Sequence, residues 1–316
     1  MKCRVCGQTA SISLRSHKTA FCDTHFLVFF EKRVNTTIRR YGLIGDGDRP
    51  VVAVSGGKDS LSLWLLLTKM GVTADGVYVD LGIGDYSRVS LEKIKAVADR
   101  IGRKVHIFHV PDVFGGRGIS EVARGLRRAP CSACGMIKRY VMNKVCMDKG
   151  YNLLLTGHNL DDEAAALFGN ILYWKKEYLW KKDIALDAKE GHLSRKAKPF
   201  FLCSEREVAA YAIISGIDYI YEECPFSKGA KTIAYKGILG NLEEASPGTK
   251  LMFVKGYLKE LREMKERRQN DREAGAGPEG EFCAVCGYPS GGGACGFCRT
   301  LQKFELPYSA RFEEYG

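Results

Sequence analysis

The feature that most constrains the fold is a short glycine-rich segment, S-G-G-K-D-S at residues 55–60. It follows an apolar, strand-like run at 51–54 and precedes an apolar, helix-like run at 61–67. Adjacent glycines let backbone N–H groups close around an anion at the start of a helix, and the flanking serine hydroxyls add donors. The spacing differs from the Walker loop, G-x4-G-K-[ST], and a plain turn between a strand and a helix is the alternative. The predicted phosphate-binding residues are Ser55, Gly56, Gly57, Lys58, Asp59 and Ser60.

Strand-like and helix-like segments alternate after this loop, which predicts an α/β fold with a parallel sheet and helices on both faces. Because ligands bind beyond the carboxyl ends of such strands, we expect Ser55, Asp80 and Thr156 to converge. The predicted strands are 51–54, 76–80, 105–109, 152–156 and 217–221, and the predicted helices are 59–69, 90–101, 135–148, 161–172 and 204–215.

The charge of the chain predicts a polyanionic partner. Lys and Arg outnumber Asp and Glu by 48 to 37 in 316 residues, which gives a formal net charge of +11. Nucleic acid is favoured over a membrane, since no apolar run approaches the ~20 residues of a bilayer span. The first residues lead into a cysteine motif and not into an apolar signal segment. The expected compartment is therefore the reducing cytoplasm, where metal sites are favoured over disulfides.

Two basic helical segments flank the alternating region. Apolar residues recur at helical spacing from Phe26 to about Tyr41, with basic residues among them, and a second basic helical stretch covers 226–272. A glycine-rich linker is predicted at 275–278. The predicted parts are 1–48, an N-terminal zinc finger and basic helix; 49–225, the catalytic domain; and 226–316, a helical extension and second zinc finger.

Seven of the twelve cysteines and one histidine form two groups of four near the ends of the chain. The spacings C-x2-C…C-x2-H and C-x2-C-x8-C-x2-C each supply four tetrahedral ligands, which is typical of zinc. Four protein ligands leave no open position, so both sites are predicted to be structural. The ligands are Cys3, Cys6, Cys22 and His25 for one zinc, and Cys283, Cys286, Cys295 and Cys298 for the other.

A third group consists of Cys131, Cys134 and Cys224, and its residues alone leave the chemistry open. A redox disulfide, an incidental buried trio and a set of cluster ligands are all compatible with the spacing. Thiolates favour iron–sulfur clusters, and three cysteines on a four-iron cluster leave one iron open to an exogenous sulfide. The remaining cysteines, Cys146 and Cys203, are predicted to be small buried side chains.

Residues 55–60 resemble the pyrophosphate-binding (PP) loop of the ATP pyrophosphatases, which cleave ATP to AMP and pyrophosphate and adenylate a carbonyl or amide oxygen. Residues 156–164 resemble the T-G-H-x-x-D-D motif of the same superfamily. The resemblance implies that Gly157 lies beside the nucleotide and that Asp161 or Asp162 lies near magnesium, although helix capping is the alternative for either aspartate. Outside the loop, the implied ATP-binding residues are Ala53, Val79, Gly157 and Asp162.

Almost the whole chain is similar to the tRNA 2-thiouridine synthetases of the TtuA type, within the TtcA/TtuA group. The matching parts are both cysteine knuckles, the loop, the C-x2-C pair, the T-G-H motif, C-P-F-S-K-G-A-K at 224–231 and S-P-G-T-K at 246–250. The resemblance implies zinc in both knuckles and Lys138 near ATP and the uridine. It also implies a [4Fe–4S] cluster held by Cys131, Cys134 and Cys224.

The same resemblance implies partners. These are tRNA, with the T-loop uridine favoured over the wobble uridine, a ubiquitin-like sulfur carrier with a C-terminal thiocarboxylate, and a second copy of the chain in a homodimer.

The resulting hypothesis is ATP-dependent replacement of the uracil C2 oxygen by sulfur. The uracil O2 attacks the α-phosphate, pyrophosphate leaves, and a sulfide on the open iron then displaces AMP at C2. The catalytic residues are predicted to be Asp59, Lys138 and Asp162, with Mg²⁺ bound to ATP. One alternative uses Cys134 and Cys224 as persulfide and resolving thiol without iron. Another is a zinc-dependent RNA-binding scaffold whose ATP loop is regulatory.

Overall fold

The structure is a computed structural model and describes residues 1–180, 183–186, 194–227, 229–271, 282–290 and 292–316. The linker predicted at 275–278 and Lys228 of the C-P-F-S-K-G-A-K segment lie outside the described residues.

The described helices and strands follow the predicted alternation closely. A 3-10 turn covers Arg15–His17. The helices are α1 Asp23–Arg40, α2 Lys58–Lys69, α3 Gly84–Ile101, α4 Val110–Val113, α5 Ile119–Gly125, α6 Pro130–Lys149, α7 Leu160–Leu172, α8 Lys176–Trp180, α9 Glu205–Ile214, α10 Lys231–Ala245, α11 Thr249–Asp271 and α12 Gly296–Lys303. The strands are β1 Ile12–Leu14, β2 Thr19–Phe21, β3 Pro50–Ala53, β4 Asp75–Asp80, β5 Val105–His109, β6 Leu153–Thr156, β7 Ala185–Leu186, β8 Arg195–Ala197 and β9 Glu313–Tyr315.

Among the described residues, the main sheet has the strand order β7-β8-β6-β3-β4-β5-β9. The five inner strands are parallel, and the two edge strands, β7 and β9, run antiparallel to their neighbours. Helices connect the parallel strands, as βαβ crossovers require. The predicted α/β class with a parallel sheet flanked by helices is confirmed.

Alternate residues of the inner strands pack into cores on opposite faces of the sheet. On β4, Tyr78 packs with Trp64 of α2 and Phe30 of α1. Val77, its neighbour, packs instead with Val145 of α6. Burial of both faces explains why these strands read as unbroken apolar runs.

One predicted strand, 217–221, is wrong. This segment is not part of any sheet, and the backbone N–H of Ile220 donates to the carbonyl of Gly56 over 3.0 Å. It therefore runs across the glycine-rich loop. The sheet position after β6 belongs to β8, whose sequence R-K-A lacks an apolar run and was not predicted.

Two predicted helices begin earlier than expected. The helix predicted at 90–101 is α3, which starts at Gly84, and the helix predicted at 135–148 is α6, which starts at Pro130. Proline at the first helical position costs no hydrogen bond, since that N–H has no partner in a helix. Cys131 consequently lies in the first turn of α6, and Cys134 lies at the start of the second turn.

The C-terminal residues pack against α6 and the sheet edge. The ring of Phe297 on α12 stacks on Tyr140 of α6 with centroids 3.9 Å apart and planes 4° apart. Strand β9 then pairs with β5. No helix within the described ranges is both long and apolar enough to span a bilayer.

Candidate active site

The glycine-rich loop runs from the end of β3 to the start of α2 and is held by its own serines. The Ser60 hydroxyl accepts from the Ser55 N–H over 3.1 Å and donates to the Gly57 carbonyl over 3.2 Å. Gly56 has φ of +77°, and an added Cβ would lie 2.8 Å from the Cα of Ser90. Only glycine fits this position, and its missing side chain lets the loop pack against the backbone of Ser90 on α3.

The T-G-H motif packs directly on this loop. A Cβ on Gly157 would lie 2.8 Å from the backbone of Asp59 and Ser60, so the two segments touch through their main chains. Asn159, which is fully buried, caps α7 by accepting from the N–H groups of Asp161 and Asp162. Its amide Nδ2 donates to Oδ1 of Asp59 over 3.1 Å. The two motifs form one unit.

A cavity of about 420 Å³ opens at the carboxyl ends of β3, β4 and β6. Most of the predicted ATP-binding and catalytic residues line it, whereas Gly56, Gly57 and Lys58 lie in the same loop outside the lining. The predicted residues in the lining are Ala53, Ser55, Asp59, Ser60, Val79, Lys138, Gly157 and Asp162.

The three strand ends converge as expected except at Asp80. Ser55 and Thr156 line the cavity, as do Val79 and Leu81 on either side of Asp80. The Asp80 carboxylate turns to His109, whose Nδ1 lies 3.0 Å from it. The end of β4 therefore contributes apolar side chains, and not Asp80, to the cavity wall.

The two aspartates of the T-G-H motif have different environments. Asp162 lines the cavity and pairs with Lys236 over 2.6 Å. Asp161 lies outside the lining, forms an ion pair with Lys250 and accepts from the Glu205 N–H over 2.8 Å. Asp162 is therefore the aspartate available to a ligand in the cavity.

Burial and charge shift the pKa of Asp59. Burial raises its pKa above the ordinary value, Lys58 at 3.1 Å lowers it, and the nearby Asp162 carboxylate raises it. The net shift is upward. Two carboxylates facing one cavity with incomplete compensation favour binding of a cation.

The third cysteine group lies beside this cavity but outside its lining, which includes Gly135, the neighbour of Cys134. Burial raises the pKa of Cys134, Lys138 one turn along α6 lowers it, and Cys224 and Cys131 raise it, so the three thiols are electrostatic neighbours. The Cys131 thiol donates to the carbonyl of Phe226, two residues after Cys224, over 3.2 Å. Helix α6 and the loop after Ile220 thus bring together cysteines about 90 residues apart.

The two terminal cysteine groups have the spacing of single-ion sites. A tetrahedral zinc with Zn–S bonds of about 2.3 Å places its sulfurs about 3.8 Å apart. Sγ atoms lie 3.8 Å apart between Cys6 and Cys22, and also between Cys286 and Cys295. All four ligand atoms of each group lie within 4.8 Å of one another. Within the described part of the chain, the cavity cysteines do not form such a compact group.

Backbone N–H groups favour the thiolate form of a cysteine in the C-terminal knuckle. Burial would raise the pKa of Cys283, but donation from the N–H groups of Cys295, Cys286 and Val285 lowers it to about 6. Thiolates are the metal-binding form of cysteine, so these donors favour binding at neutral pH.

Comparisons with known proteins give the same assignment for the whole chain. The N-terminal LIM domain of 2-thiouridine synthetase TtuA matches residues 2–27, and the PP-loop domain matches residues 28–224. A tRNA-5-methyluridine(54) 2-sulfurtransferase of Thermus thermophilus is 44% identical over 299 residues, covering 95% of this chain and 90% of the relative. The chain belongs to the TtuA family of 2-thiouridine synthetases.

Other relatives of this TtuA-family chain are consistent with the assignment. A tRNA-5-methyluridine(54) 2-sulfurtransferase of Pyrococcus horikoshii is 43% identical, with 95% and 93% coverage. The solved structure of the U34-tRNA thiolase NcsA from Methanococcus maripaludis, with its [4Fe–4S] cluster, has a TM-score of 0.78 and 26% identity, with 98% of both chains covered. The resemblance stated from the sequence is confirmed, and so is the enzyme class, an ATP-using tRNA sulfurtransferase.

Several residues of the TtuA-family site were not found from the sequence. Tyr86 lines the cavity. Burial is the largest cause that raises its pKa, and the thiols of Cys224 and Cys134 raise it further. Lys236 pairs with Asp162, and Asn159 with Asp59. Only Asn159 had a signal, since asparagine is a preferred N-cap directly before L-D-D. Cys146 and Cys203 are buried, as predicted.

Proposed function

We propose that this chain thiolates a tRNA uridine at C2 by adenylating the uracil O2 and replacing it with sulfur. The observation that supports this most directly is the meeting of three elements at one cavity. The phosphate loop and Asp162 form one wall, Lys138 projects from α6, and the three cysteines lie beside the same space. An adenylation site and a sulfur site have to be adjacent, because the activated base cannot be released between the two steps.

Asp59 and Asp162 are the proposed ligands of an ATP-bound Mg²⁺. Both carboxylates line the cavity and each affects the other electrostatically. Mg²⁺ is bound in nucleotide sites through one or two carboxylates together with the phosphates. The N–H groups of the loop and the Lys58 ammonium would orient the β- and γ-phosphates.

In the first step the uracil O2 forms a bond to the α-phosphorus, and the bond from that phosphorus to the bridging oxygen of pyrophosphate breaks. Pyrophosphate leaves with the electron pair. Lys138, which lines the cavity, would stabilise the negative charge that develops on the phosphate. In the second step a sulfur nucleophile bonds to C2, and AMP leaves with the former O2.

The cysteines Cys131, Cys134 and Cys224 are the proposed ligands of a [4Fe–4S] cluster, because three thiols that are not fully buried lie close together beside the cavity. The NcsA structure from Methanococcus maripaludis carries such a cluster. When bound by three thiolates, a four-iron cluster supplies one iron without a protein ligand. The Lys138 ammonium, one turn from Cys134, favours the thiolate form that ligation needs.

Two zinc ions are proposed for the terminal groups, on the strength of their sulfur spacing. Their role is structural, because four ligands close the coordination sphere.

The proposed domains of the chain are residues 1–48, 49–225 and 226–316.

The T-loop uridine at position 54 is the proposed target. Relatives at 44% and 43% identity are named for position 54, whereas the NcsA structure named for U34 is 26% identical. We further propose cytoplasmic action, since a yeast relative is named a cytoplasmic tRNA 2-thiolation protein. The ubiquitin-like thiocarboxylate carrier and the homodimer rest on family resemblance alone.

An isotope experiment tests the two-step chemistry. Anaerobically purified full-length protein is given ATP, sulfide and tRNA carrying ¹⁸O at the uracil O2, and the AMP and nucleosides are analysed by mass spectrometry. We expect 2-thiouridine at position 54 and one ¹⁸O in each AMP released. Unlabelled AMP would exclude O2 adenylation, and thiolation at position 34 would exclude the T-loop assignment.

A further inference from the structure

Beside the phosphate loop, five side chains of alternating charge form a continuous chain from Asp59 to Asp162. Lys58 Nζ lies 3.1 Å from Asp59 Oδ2 and 2.7 Å from Glu205 Oε1. Lys236 Nζ lies 3.1 Å from Glu205 Oε2 and 2.6 Å from Asp162 Oδ1. The two terminal carboxylates line the ATP cavity, and the three middle groups lie just outside its lining.

Glu205 is the centre of this chain and gives one oxygen to each lysine. The two lysines belong to separate elements, the start of α2 and the middle of α10. A carboxylate that binds two ammonium groups in this way makes the contacts that two oxygens of a polyphosphate would make. No other described carboxylate pairs with both Lys58 and Lys236.

The Glu205 side chain links α9 to Lys58 of α2 and Lys236 of α10, but it is not the cap of its own helix. It is the first residue of α9, but that helix is capped by Ser204 and Glu207, whose side chains bond each other's backbone N–H groups. The Glu205 side chain is 37% exposed, so its carboxylate can rotate away from the lysines and into water. Its position therefore needs an explanation other than helix capping.

The five groups carry more negative than positive charge, which makes this arrangement unfavourable for an anion. Burial would raise the pKa of Glu205, but Lys58 and Lys236 lower it, and Asp162 and Glu205 outweigh burial to raise the pKa of Lys236. Three carboxylates face two ammonium groups, so the set carries a net charge of −1 where a triphosphate has to bind. Without the Glu205 carboxylate, two carboxylates and two ammonium groups remain, so the set would carry no net charge and both lysines would be available to phosphate oxygens.

We propose that the Glu205 carboxylate occupies the pyrophosphate-binding site by pairing with Lys58 and Lys236 before the nucleotide binds. The β- and γ-phosphates of ATP then displace Glu205 and pair with both lysines. The proposal rests on the adenylation stated under Proposed function. It adds Lys236, which lies outside the matched PP-loop domain at 28–224, to the groups that bind the leaving pyrophosphate.

Binding of magnesium pyrophosphate to the full-length protein, measured by calorimetry without tRNA, tests this inference. Glu205→Gln keeps the side-chain size but removes the competing charge, so pyrophosphate should bind about tenfold more tightly. Lys236→Met should weaken binding about tenfold, and Lys236→Arg should restore most of the loss. The matched control is Glu92→Gln, which removes only an exposed pair with Arg88 on α3 and should leave binding unchanged.

The sign of the Glu205→Gln effect decides the outcome. If this variant binds pyrophosphate more weakly than wild type and unfolds at the same temperature, Glu205 supports the site and the proposal is overturned. A variant that unfolds earlier yet binds pyrophosphate more tightly still supports it. Wild-type protein that binds no pyrophosphate would contradict the proposed adenylation itself.

Discussion

Asn159 donates a hydrogen bond from Nδ2 to Oδ1 of Asp59, over 3.1 Å, and so joins two motifs that lie 100 residues apart in the sequence. The same side chain caps α7 and thereby fixes Asp162 beside the cavity. One buried amide therefore positions both proposed magnesium ligands.

Asn159→Asp separates these two tasks. Aspartate is as good an N-cap as asparagine, so α7 should keep its cap, but a carboxylate buried beside Asp59 should lower the unfolding temperature. It cannot donate to Asp59 and places a third carboxylate there, so thiolation should fall about 10- to 100-fold. Asn159→Ala should lose activity and also about 1 kcal/mol of stability. Full activity of the aspartate variant would mean that the amide contact has no role.

Asp59→Ala should abolish AMP formation while leaving tRNA affinity largely intact. The loop contacts phosphate and metal, whereas a distributed basic surface binds the RNA backbone. AMP release and gel-shift affinity, measured on the same preparation, check both parts. Unchanged turnover would show that the loop has been misinterpreted.

Changing any one of Cys131, Cys134 or Cys224 to Ala should remove both the visible absorption of the cluster and tRNA thiolation, and air should inactivate the wild type. Cys146→Ala is the control, since that buried thiol lies outside the group and should leave the absorption in place. Full activity of iron-free protein, with Cys131 dispensable, would favour the persulfide alternative.

Elemental analysis of aerobically purified protein should give two zinc ions per chain. Cys283→Ser should reduce this to one and loosen α6, because the C-terminal knuckle packs on that helix through Phe297 and Tyr140. ATP binding should persist, since the loop belongs to β3 and α2. Wild-type protein without zinc, expressed with adequate metal, would exclude the assignment.

The ion pair between His109 and Glu313 of β9 should stabilise the fold less as the pH rises. Burial would lower its pKa, but the Asp80 and Glu313 carboxylates at 3.0 and 3.1 Å raise it above the ordinary value of about 6.5. The stabilisation is complete below the unfolded-state pKa and is lost as the pH rises through the higher folded-state pKa. Unfolding temperatures between pH 6 and 9 should therefore fall more for wild type than for His109→Gln. Parallel curves would contradict the prediction.

The sequence was most informative where local chemistry decides the structure. The loop at 55–60, the cysteine spacings and the apolar parallel strands all carry their own signal, because glycine conformation, metal geometry and double-sided burial restrict the residue types. Strand β8 had no such signal, since Arg195 and Lys196 are polar and its pairing with β6 and β7 makes it a strand.

Long-range contacts explain what the sequence did not reveal in the site. Nothing in the local sequence around Lys236 or Glu205 indicates that they meet, since the pairing depends on how α10 packs against α7 and how α9 packs against α2. The choice between Asp161 and Asp162 likewise depends on Lys250, which draws Asp161 away from the cavity. Such partners become visible only in three dimensions.

The pairing of β9 with β5 also has a consequence for synthesis. Ile107 of β5 pairs with Glu313 of β9, which lies about 200 residues later in the chain and is therefore synthesised later. At ribosomal rates of about 5–20 residues per second, β5 remains an unpaired sheet edge for roughly 10–40 s. A nascent chain thus exposes a strand that can pair with a neighbouring chain, and its yield should depend on chaperones more than the stability of the finished fold would indicate.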